Sequence, residues 1–314
     1  MYLMGRAFVI PFVAAVAAFA PQAVQNQGFR STADVVPVFA TVRDQAGRLV
    51  PDLTREDFEI LDNGTPQSLT LFDNSPQPVR LITLLDFSGS MSSNLPILRS
   101  ATLELMKQLG PDDLFRLGTF GKDIRITPTF TRDVNEIAAL FPTFIPGDAP
   151  TPLWLAIDQA MAEFASSGGG RRVVLVLSDG KDSGYQPGRR FLTPIDVGNR
   201  ATQEDVMIYG IGMRSSPATV SPVGIQPLAA RLTSDLPDPA LGIVAGDTGG
   251  GYFELRGRDN LADAFARVLD ELHRQYLLGF APPVRDGKTH KIEVRTKDRS
   301  LKVQARKAYV ASNK

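Results

Sequence analysis

The sequence contains no cysteine, and this absence sets the first limits on what the protein can be. Disulfide bonds, zinc–thiolate sites, iron–sulfur clusters and a lipidated N-terminal cysteine are excluded, because each of them requires a thiol. Histidine is scarce as well, since His273 and His290 are the only two in 314 residues. A metal site in this chain therefore has to be sought among oxygen-bearing side chains.

The sequence also lacks an excess of charge of either sign. Lys and Arg number 34, Asp and Glu number 34, and the formal net charge is +0. Bulk charge thus gives no indication of a polyanion partner, and we expect no nucleic-acid binding. The hydrophobic fraction of 43% is ordinary for a globular protein, and the length allows one large domain or two of common size.

One long apolar run stands at the N-terminus, where AFVIPFVAAVAAFA follows Arg6. It is too short for a comfortable membrane span and predicts a signal peptide over residues 1–20, followed by a linker over residues 21–33. Pro21 directly after the Ala18-Phe19-Ala20 sequence is a poor cleavage context, so an uncleaved anchor is the alternative. Either way the rest of the chain is predicted to be exported: periplasmic, on the cell surface or secreted.

Two kinds of pattern divide the remaining sequence. Residues 34–78 and 277–314 alternate apolar and polar side chains, whereas residues 79–276 alternate continuous apolar strands with amphipathic helices. We predict an α/β fold for the middle, with a doubly wound, mostly parallel sheet and helices on both faces. We predict that it is inserted in a β-sandwich formed by the two flanks. Separate β appendages are the alternative, but neither flank has enough strands to close a core alone.

The N-terminal flank also contains a turn signal. The sequence DNGTPQ separates residues 58–61 from residues 68–71, and both of these segments are rich in strand-forming side chains. We therefore predict that the two segments pair with each other as a hairpin.

Oxygen-bearing side chains follow the predicted strands of the middle region. The strand VRLITLL runs into Asp86, Ser88 and Ser90, the strand RRVVLVLS runs into Asp179, and Thr151 lies in a loop that enters a helix. Because ligands of open α/β sheets bind beyond the carboxyl ends of the strands, we expect these five side chains to converge. Oxygen ligands without nitrogen or sulfur suit a hard cation, and two hydroxyls with few carboxylates favour Mg²⁺ over Mn²⁺ or Ca²⁺.

These residues carry a family resemblance. The sequence DFSGS at residues 86–90, then Thr151, then SDG at residues 178–180 resemble the three-part metal-ion-dependent adhesion site of von Willebrand factor type A domains. This resemblance runs from about Val79 to Tyr276. The flanks, including FATVRDQAGRLVPDLTREDFEILDNGTPQSL and LKVQARKAYV, resemble an exported von Willebrand A-related family typical of acidobacteria.

The resemblance implies a role for each candidate ligand. Ser88 and Ser90 would coordinate the cation directly, Thr151 would do so when a partner is bound, and Asp86 and Asp179 would act mainly through water and hydrogen bonds. The open coordination position would be filled by an Asp or Glu carboxylate of a protein partner. The sequence departs from the family at residues 148–150, where Asp-Ala-Pro stands in place of the usual glycines.

Together these features predict an exported, divalent-metal-dependent protein-binding module of the adhesion type, not an enzyme, with no membrane span once the signal is removed. Two alternatives stay open: a scaffold subunit whose metal site is stabilising or vestigial, and a Mg²⁺-dependent hydrolase. The hydrolase is disfavoured because neither histidine is predicted near Ser88 and no G-x-S-x-G motif surrounds that serine.

Smaller features complete the prediction. Trp154 is expected in the core, and Asp182 and Ser183 are expected to be turn residues. Two long loops at the metal-bearing edge, residues 183–197 and 213–240, are expected to carry recognition, with Arg189 and Arg190 as candidates for contacting an acidic partner.

Overall fold

A computed structural model describes residues 35–165, 170–184, 187–213, 237–255 and 260–313. The predicted signal peptide and linker, and most of the loop at residues 213–240, lie outside these described residues. Among the residues that the structure describes, none of the helices combines the length and the apolar character needed to cross a membrane.

The described chain folds into fourteen strands and six helices. The strands are β1 (Val36–Arg43), β2 (Phe58–Asp62), β3 (Thr65–Gln67), β4 (Leu69–Asp73), β5 (Val79–Asp86), β6 (Leu114–Phe120), β7 (Ile124–Ile126), β8 (Arg171–Ser178), β9 (Val206–Met213), β10 (Tyr252–Leu255), β11 (Tyr276–Phe280), β12 (Thr289–Thr296), β13 (Lys302–Ala305) and β14 (Ala308–Val310). The helices are α1 (Leu95–Gln108), α2 (Val134–Ala138), α3 (Leu153–Ala162), α4 (Pro194–Glu204), α5 (Pro239–Asp247) and α6 (Leu261–His273).

The middle of the chain forms a six-stranded sheet in the order β10-β9-β8-β5-β6-β7. All its neighbouring strands are parallel except β7, which runs antiparallel to β6. Successive side chains of a strand face opposite sides, so Leu81 and Leu85 join the core under α1, α2 and α6, while Ile82 and Leu84 join the core under α3, α4 and α5. Two buried faces explain why these strands are continuous apolar runs.

The order of the strands creates a switch point at the centre of this sheet. From β5 the chain goes through α1 to β6 on one side, and then returns to place β8 on the other side of β5. Connections that leave in opposite directions open a crevice beyond the carboxyl ends of the two central strands. The segments that follow β5 and β8 therefore meet at this crevice.

Both flanks build one β-sandwich. Its two antiparallel sheets have the orders β13-β1-β11-β4 and β14-β12-β2-β3, so each combines N-terminal and C-terminal strands. A single hydrophobic cluster joins the sheets and includes Val38, Phe58, Ile60, Phe280 and Tyr309. The predicted fold class, a doubly wound sheet inserted in a sandwich shared by both chain ends, is confirmed.

The predicted pairing of the N-terminal hairpin is wrong. Strand β2 pairs with β3, and β4 pairs with β11 in the other sheet. The turn between β2 and β3 is made by Asn63 and Gly64, both with positive φ (46° and 82°). An Asn-Gly pair suits a two-residue hairpin turn, so the returning strand starts at once at Thr65, and the chain then passes to the second sheet.

A buried polar cluster connects the sandwich to the α/β domain. Glu271 of α6 is 1% exposed, and its carboxylate accepts hydrogen bonds from Thr41 Oγ1 at 3.1 Å and from the Tyr209 hydroxyl at 3.0 Å. Arg43 of β1 forms an ion pair with the same carboxylate. Because a buried carboxylate needs such partners, strand β1 and helix α6 are held against each other.

Candidate metal centre

The first part of the candidate site begins where β5 ends, at Asp86. This side chain is fully buried. Its Oδ1 accepts a hydrogen bond from the Ser88 amide at 2.8 Å, and its Oδ2 accepts one from Ser178 Oγ at 2.5 Å. Asp86 therefore shapes the turn that follows β5 and ties the end of that strand to the end of β8.

The two serines of this turn lie side by side. Ser88 Oγ and Ser90 Oγ are 3.1 Å apart, and Ser90 Oγ donates a hydrogen bond to Asp179 Oδ1 at 2.8 Å. Ser88 and Asp179 are buried, whereas Ser90 is exposed. The cluster of oxygen atoms is therefore open to solvent on the side of Ser90.

The second part of the candidate site is the loop before α3, which presents Thr151. The Thr151 amide donates to Ser183 Oγ at 2.6 Å, and the Ser183 amide donates to the Thr151 carbonyl at 2.9 Å. A Cβ atom added to Gly180 would lie 3.5 Å from Thr151 Oγ1. Thr151 thus lies against the segment that follows β8 and carries Asp179.

A glycine brings the first and second parts together. The Gly89 amide donates to the Ala149 carbonyl at 3.1 Å, and a Cβ atom at Gly89 would lie only 2.0 Å from the carbonyl oxygen of Gly147. Real Cβ atoms do not approach backbone oxygen this closely. Only glycine at this position allows the turn after β5 to touch the loop of Thr151.

The electrostatics of the site are dominated by two buried carboxylates. Burial raises the pKa of Asp86 to about 7; hydrogen bonds from Ser178 and Ser88 oppose this shift, and the negative charge of Asp179 adds to it. A buried carboxylate beside a second one is costly in its ionised form. A cation at this position would favour the ionised form of both carboxylates.

The donor set fits a divalent cation. Mg²⁺ binds oxygen at 2.0–2.1 Å, so two oxygen ligands at right angles lie about 2.9 Å apart. The separation of 3.1 Å between Ser88 Oγ and Ser90 Oγ, the two predicted direct ligands, is close to this value. The residues present therefore fit a hard cation held mainly by hydroxyl oxygen atoms.

The structure brings the sequence-predicted residues to one edge of the sheet. Asp86 is bonded to the Ser88 amide, Ser88 Oγ to Ser90 Oγ, and Ser90 Oγ to Asp179. Thr151 lies beside Gly180, the residue that follows Asp179. Their role as cation ligands stays a prediction. Asp148, the acidic residue that departs from the family pattern, is exposed in the loop before Thr151.

Three supporting residues were not among the sequence-predicted site residues. Ser178 binds Asp86, Ser183 fixes the backbone of Thr151, and Gly89 allows the two loops to approach. Ser178 stands directly before Asp179 at the end of an apolar strand, which could have marked it. Nothing in the sequence indicates the contact of Gly89 with the loop at residues 147–149.

The predicted turn residues after β8 have the role expected of them. Asp182 Oδ2 accepts from the Gly184 amide at 2.7 Å, and Asp182 Oδ1 accepts from the Trp154 amide at 3.3 Å at the start of α3. Trp154 is 2% exposed in the core, as predicted. Arg189 and Arg190, the candidates for contacting an acidic partner, already have partners within the chain. Arg189 donates a hydrogen bond to the Lys122 carbonyl, and Arg190 lies 3.7 Å from Asp158.

Neither histidine lies at this edge of the sheet. His273, at the end of α6, bonds through Nε2 to Asp113 Oδ2 at 2.8 Å, just before β6 begins. Burial would raise the pKa of Asp113, but hydrogen bonds from His273 and from the amides of Val79 and Gly110 lower it below its ordinary value. His290 is in the sandwich, with Nδ1 2.9 Å from Asp62 Oδ1.

The fold and this strand edge define a class: a doubly wound α/β domain with hydroxyl and carboxylate groups at its switch point. The family model of the von Willebrand factor type A domain matches residues 81–229. Over these residues the chain therefore contains a von Willebrand factor type A domain.

Solved structures similar to this chain include three from bacteria. A von Willebrand factor type A protein from Catenulispora acidiphila is 13% identical, with 91% of this chain and 78% of that chain covered and a TM-score of 0.47. An aerotolerance-related membrane protein from Bacteroides fragilis is 16% identical, covering 62% and 98% with a TM-score of 0.44. The type V pili tip protein Mfa5 from Porphyromonas gingivalis is 13% identical, covering 62% and 95% with a TM-score of 0.45. No curated protein matches the chain.

Proposed function

We propose that this protein binds a protein partner through a divalent cation, and that the partner supplies an Asp or Glu carboxylate. Ser88 and Ser90 would hold the cation directly, Thr151 would join them when the partner binds, and Asp86 and Asp179 would orient this shell through hydrogen bonds and water. When bound, the cation supplies positive charge and an open position for an outside oxygen ligand. Mg²⁺ is the proposed cation, with Mn²⁺ and Ca²⁺ as substitutes.

One observation carries the proposal: two serine hydroxyls lie 3.1 Å apart, one of them bonded to the buried carboxylate of Asp179, in the crevice where the connections between the strands change direction. Hydroxyl oxygen neutralises little of the charge of a cation. A cation held mainly by hydroxyls would therefore keep a strong attraction for an outside carboxylate. The raised pKa of Asp86 is consistent with this interpretation, because a cation offsets the cost of burying two carboxylates.

The surface beside the candidate centre supports a partner that combines acidic and apolar residues. A hollow of about 190 Å³ adjoins it and is lined by Phe87, Phe144 and Ala149 together with Lys122, Arg125 and Asp123, the last of which lies 3.5 Å from Arg125. Phe144 is 70% exposed. Exposed aromatic groups next to cationic ones are common at protein-binding surfaces.

The test is calorimetric titration of the purified chain with Mg²⁺ and Mn²⁺. The variant Ser88→Ala/Ser90→Ala should lose at least about tenfold in metal affinity. The matched control Ser92→Ala/Ser93→Ala removes two exposed hydroxyls from the same segment and should bind as the native chain does. Unchanged affinity in the first variant would refute the assignment of the ligands.

A second titration tests the carboxylate. Because a ligand that binds the metal form raises the apparent metal affinity, N-acetyl-aspartate amide should tighten Mn²⁺ binding, whereas N-acetyl-asparagine amide should not. Equal effects of the two compounds would contradict a carboxylate-binding role. The scaffold alternative predicts instead that Ser88→Ala/Ser90→Ala lowers the stability of the fold, whereas the adhesion-type function predicts lost binding with the fold intact. Export, which rests on residues 1–20, is part of the proposal and lies outside the described residues.

A further inference from the structure

A second cavity lies at the opposite edge of the six-stranded sheet, where that sheet meets the sandwich. It has a volume of about 630 Å³ and is bounded by the first residues of β5 and β8 and by β1 and β11 of the sandwich. Arg80 in this cavity and Asp86 at the candidate metal centre are six residues apart on β5, or about 20 Å at 3.3 Å per residue. The cavity is thus separate from the proposed partner site.

The walls of this cavity carry an excess of positive charge. Four arginines line it with only two acidic residues, and the six are Arg80, Arg171, Arg172, Arg306, Asp112 and Asp205. Of the arginines, Arg306 is paired with Asp205 at 2.5 Å. Among the residues that the structure describes, no carboxylate lies within ion-pair distance of the other three. None of the three therefore has a direct ion-pair partner among the described residues; Arg171 lies over the Phe39 ring at 4.8 Å and is attracted at longer range by Asp113.

The hydrogen bonds of Arg171 and Arg172 go to neutral acceptors. Arg171 is 6% exposed, and it donates to Gln275 Oε1 at 2.9 Å and to the Gln77 carbonyl at 3.3 Å, both of which are neutral acceptors. Arg172 donates to the Glu204 carbonyl at 2.9 Å. One buried nitrogen in each of Arg80, Arg171 and Arg306 has no hydrogen-bond partner. Buried cations with incomplete hydrogen bonding are costly unless an anion is nearby.

The rest of the wall is apolar. Side chains of both domains contribute to it, and they include Pro37, Phe39, Leu71, Leu114, Met207 and Leu277. The volume lies within the range of about 300–1,000 Å³ that is usual for small-molecule sites. A purely inorganic anion would leave this apolar surface exposed to water. A neutral apolar molecule would leave the arginines without a counter-charge.

We propose that this cavity binds a small amphiphilic organic anion, with an apolar body against the aliphatic and aromatic wall and a carboxylate, phosphate or sulfonate head at the arginines. Arginine suits such a head group because its planar guanidinium can donate two parallel hydrogen bonds to it. The site needs no divalent cation and is independent of the partner site at the other edge.

The test uses anilinonaphthalene sulfonate, an aromatic anion whose fluorescence rises in apolar surroundings, titrated into the full chain in the presence of a chelator. Arg80→Gln is the first variant, because no other described side chain is paired with this guanidinium. Arg172→Gln is the second, so that the test does not depend on one variant folding. Arg299→Gln, which removes the same charge from the exposed turn between β12 and β13, is the matched control. Phenylnaphthylamine, the uncharged analogue, and inorganic phosphate complete the set of probes.

The proposal expects saturable binding of the sulfonate at one site. Arg80→Gln and Arg172→Gln should each weaken it at least about tenfold, the control should leave it unchanged, and the uncharged analogue should bind equally to all variants. Equal sulfonate affinity in the native chain and both arginine variants would overturn the proposal. Displacement of the sulfonate by inorganic phosphate at similar concentration would overturn the requirement for an apolar body.

Discussion

Gly89 is the position where a single methyl group should do the most damage to the candidate metal centre. In Gly89→Ala the new Cβ would lie 2.0 Å from the Gly147 carbonyl oxygen and 2.5 Å from its carbon, so the turn after β5 and the loop before Thr151 must separate. These are backbone atoms and cannot rotate away. The separation also breaks the hydrogen bond from the Gly89 amide to the Ala149 carbonyl.

The expected loss of stability combines two contributions. Overpacking costs about 1–3 kcal/mol and a lost hydrogen bond about 1 kcal/mol, so Gly89→Ala should lower the free energy of unfolding by about 2–4 kcal/mol. Movement of the two loops by an ångström or more should weaken Mn²⁺ binding at the same time, because cation ligands tolerate little displacement. Urea unfolding and calorimetric titration measure the two effects.

The control lies on the other side of the same contact. A Cβ atom on Gly147 meets nothing within 4 Å, and this glycine does not have a positive φ. Gly147→Ala should therefore retain native stability within about 0.5 kcal/mol and bind Mn²⁺ normally. If Gly89→Ala matched the native chain in both measurements, the close approach of the two loops would be wrong.

Three further predictions concern the fold away from the candidate metal centre. Despite its burial, hydrogen bonds hold the pKa of Asp113 below 3.8, so its ionised form stabilises the fold above that pH and the contribution is lost as pH falls through the lowered pKa. The stability difference between the native chain and Asp113→Asn, followed by urea unfolding, should shrink as the pH falls below 3.8. Glu271→Ala leaves Arg43 without its buried partner and should cost about 3 kcal/mol in the same assay, whereas Glu104→Ala, which breaks an exposed pair, should cost less than about 1 kcal/mol. Gly64→Ala places a side chain at φ +82° and should lower stability by about 1 kcal/mol.

Much of the fold could be predicted because the apolar residues of each region follow one clear pattern. Strands β5 and β8 are covered on both faces and are therefore continuous apolar runs, while the flanking strands are half-buried and alternate. The candidate ligands could be predicted for a related reason. Asp86 and Asp179 directly follow strands that the sequence marks clearly, and parallel strands end at a common edge.

The remaining features depend on contacts that no local pattern encodes. Ser183 supports Thr151 from 32 residues away, and Gly89 meets Gly147 across two loops. The hairpin prediction was wrong because the local signal at Asn63 and Gly64 fixes a turn but not which sheet receives the next strand. The arginine cavity also escaped prediction, since a basic residue at a strand start is ordinarily solvated and becomes enclosed only when another domain covers it.

The sandwich shared by both chain ends has a consequence for the order of events during synthesis. Strands β1 and β2 leave the ribosome first, but their partners β11, β12 and β13 follow only after the whole α/β domain. Contacts such as that between Thr41 and Glu271 span 230 residues, and closing so long a loop is slow. The α/β domain has its own two cores and can form earlier. Until the last strands arrive, β1 has neither of its partner strands and β2 has only β3, so both present edges open to aggregation, and shortening the C-terminus endangers the N-terminal strands first.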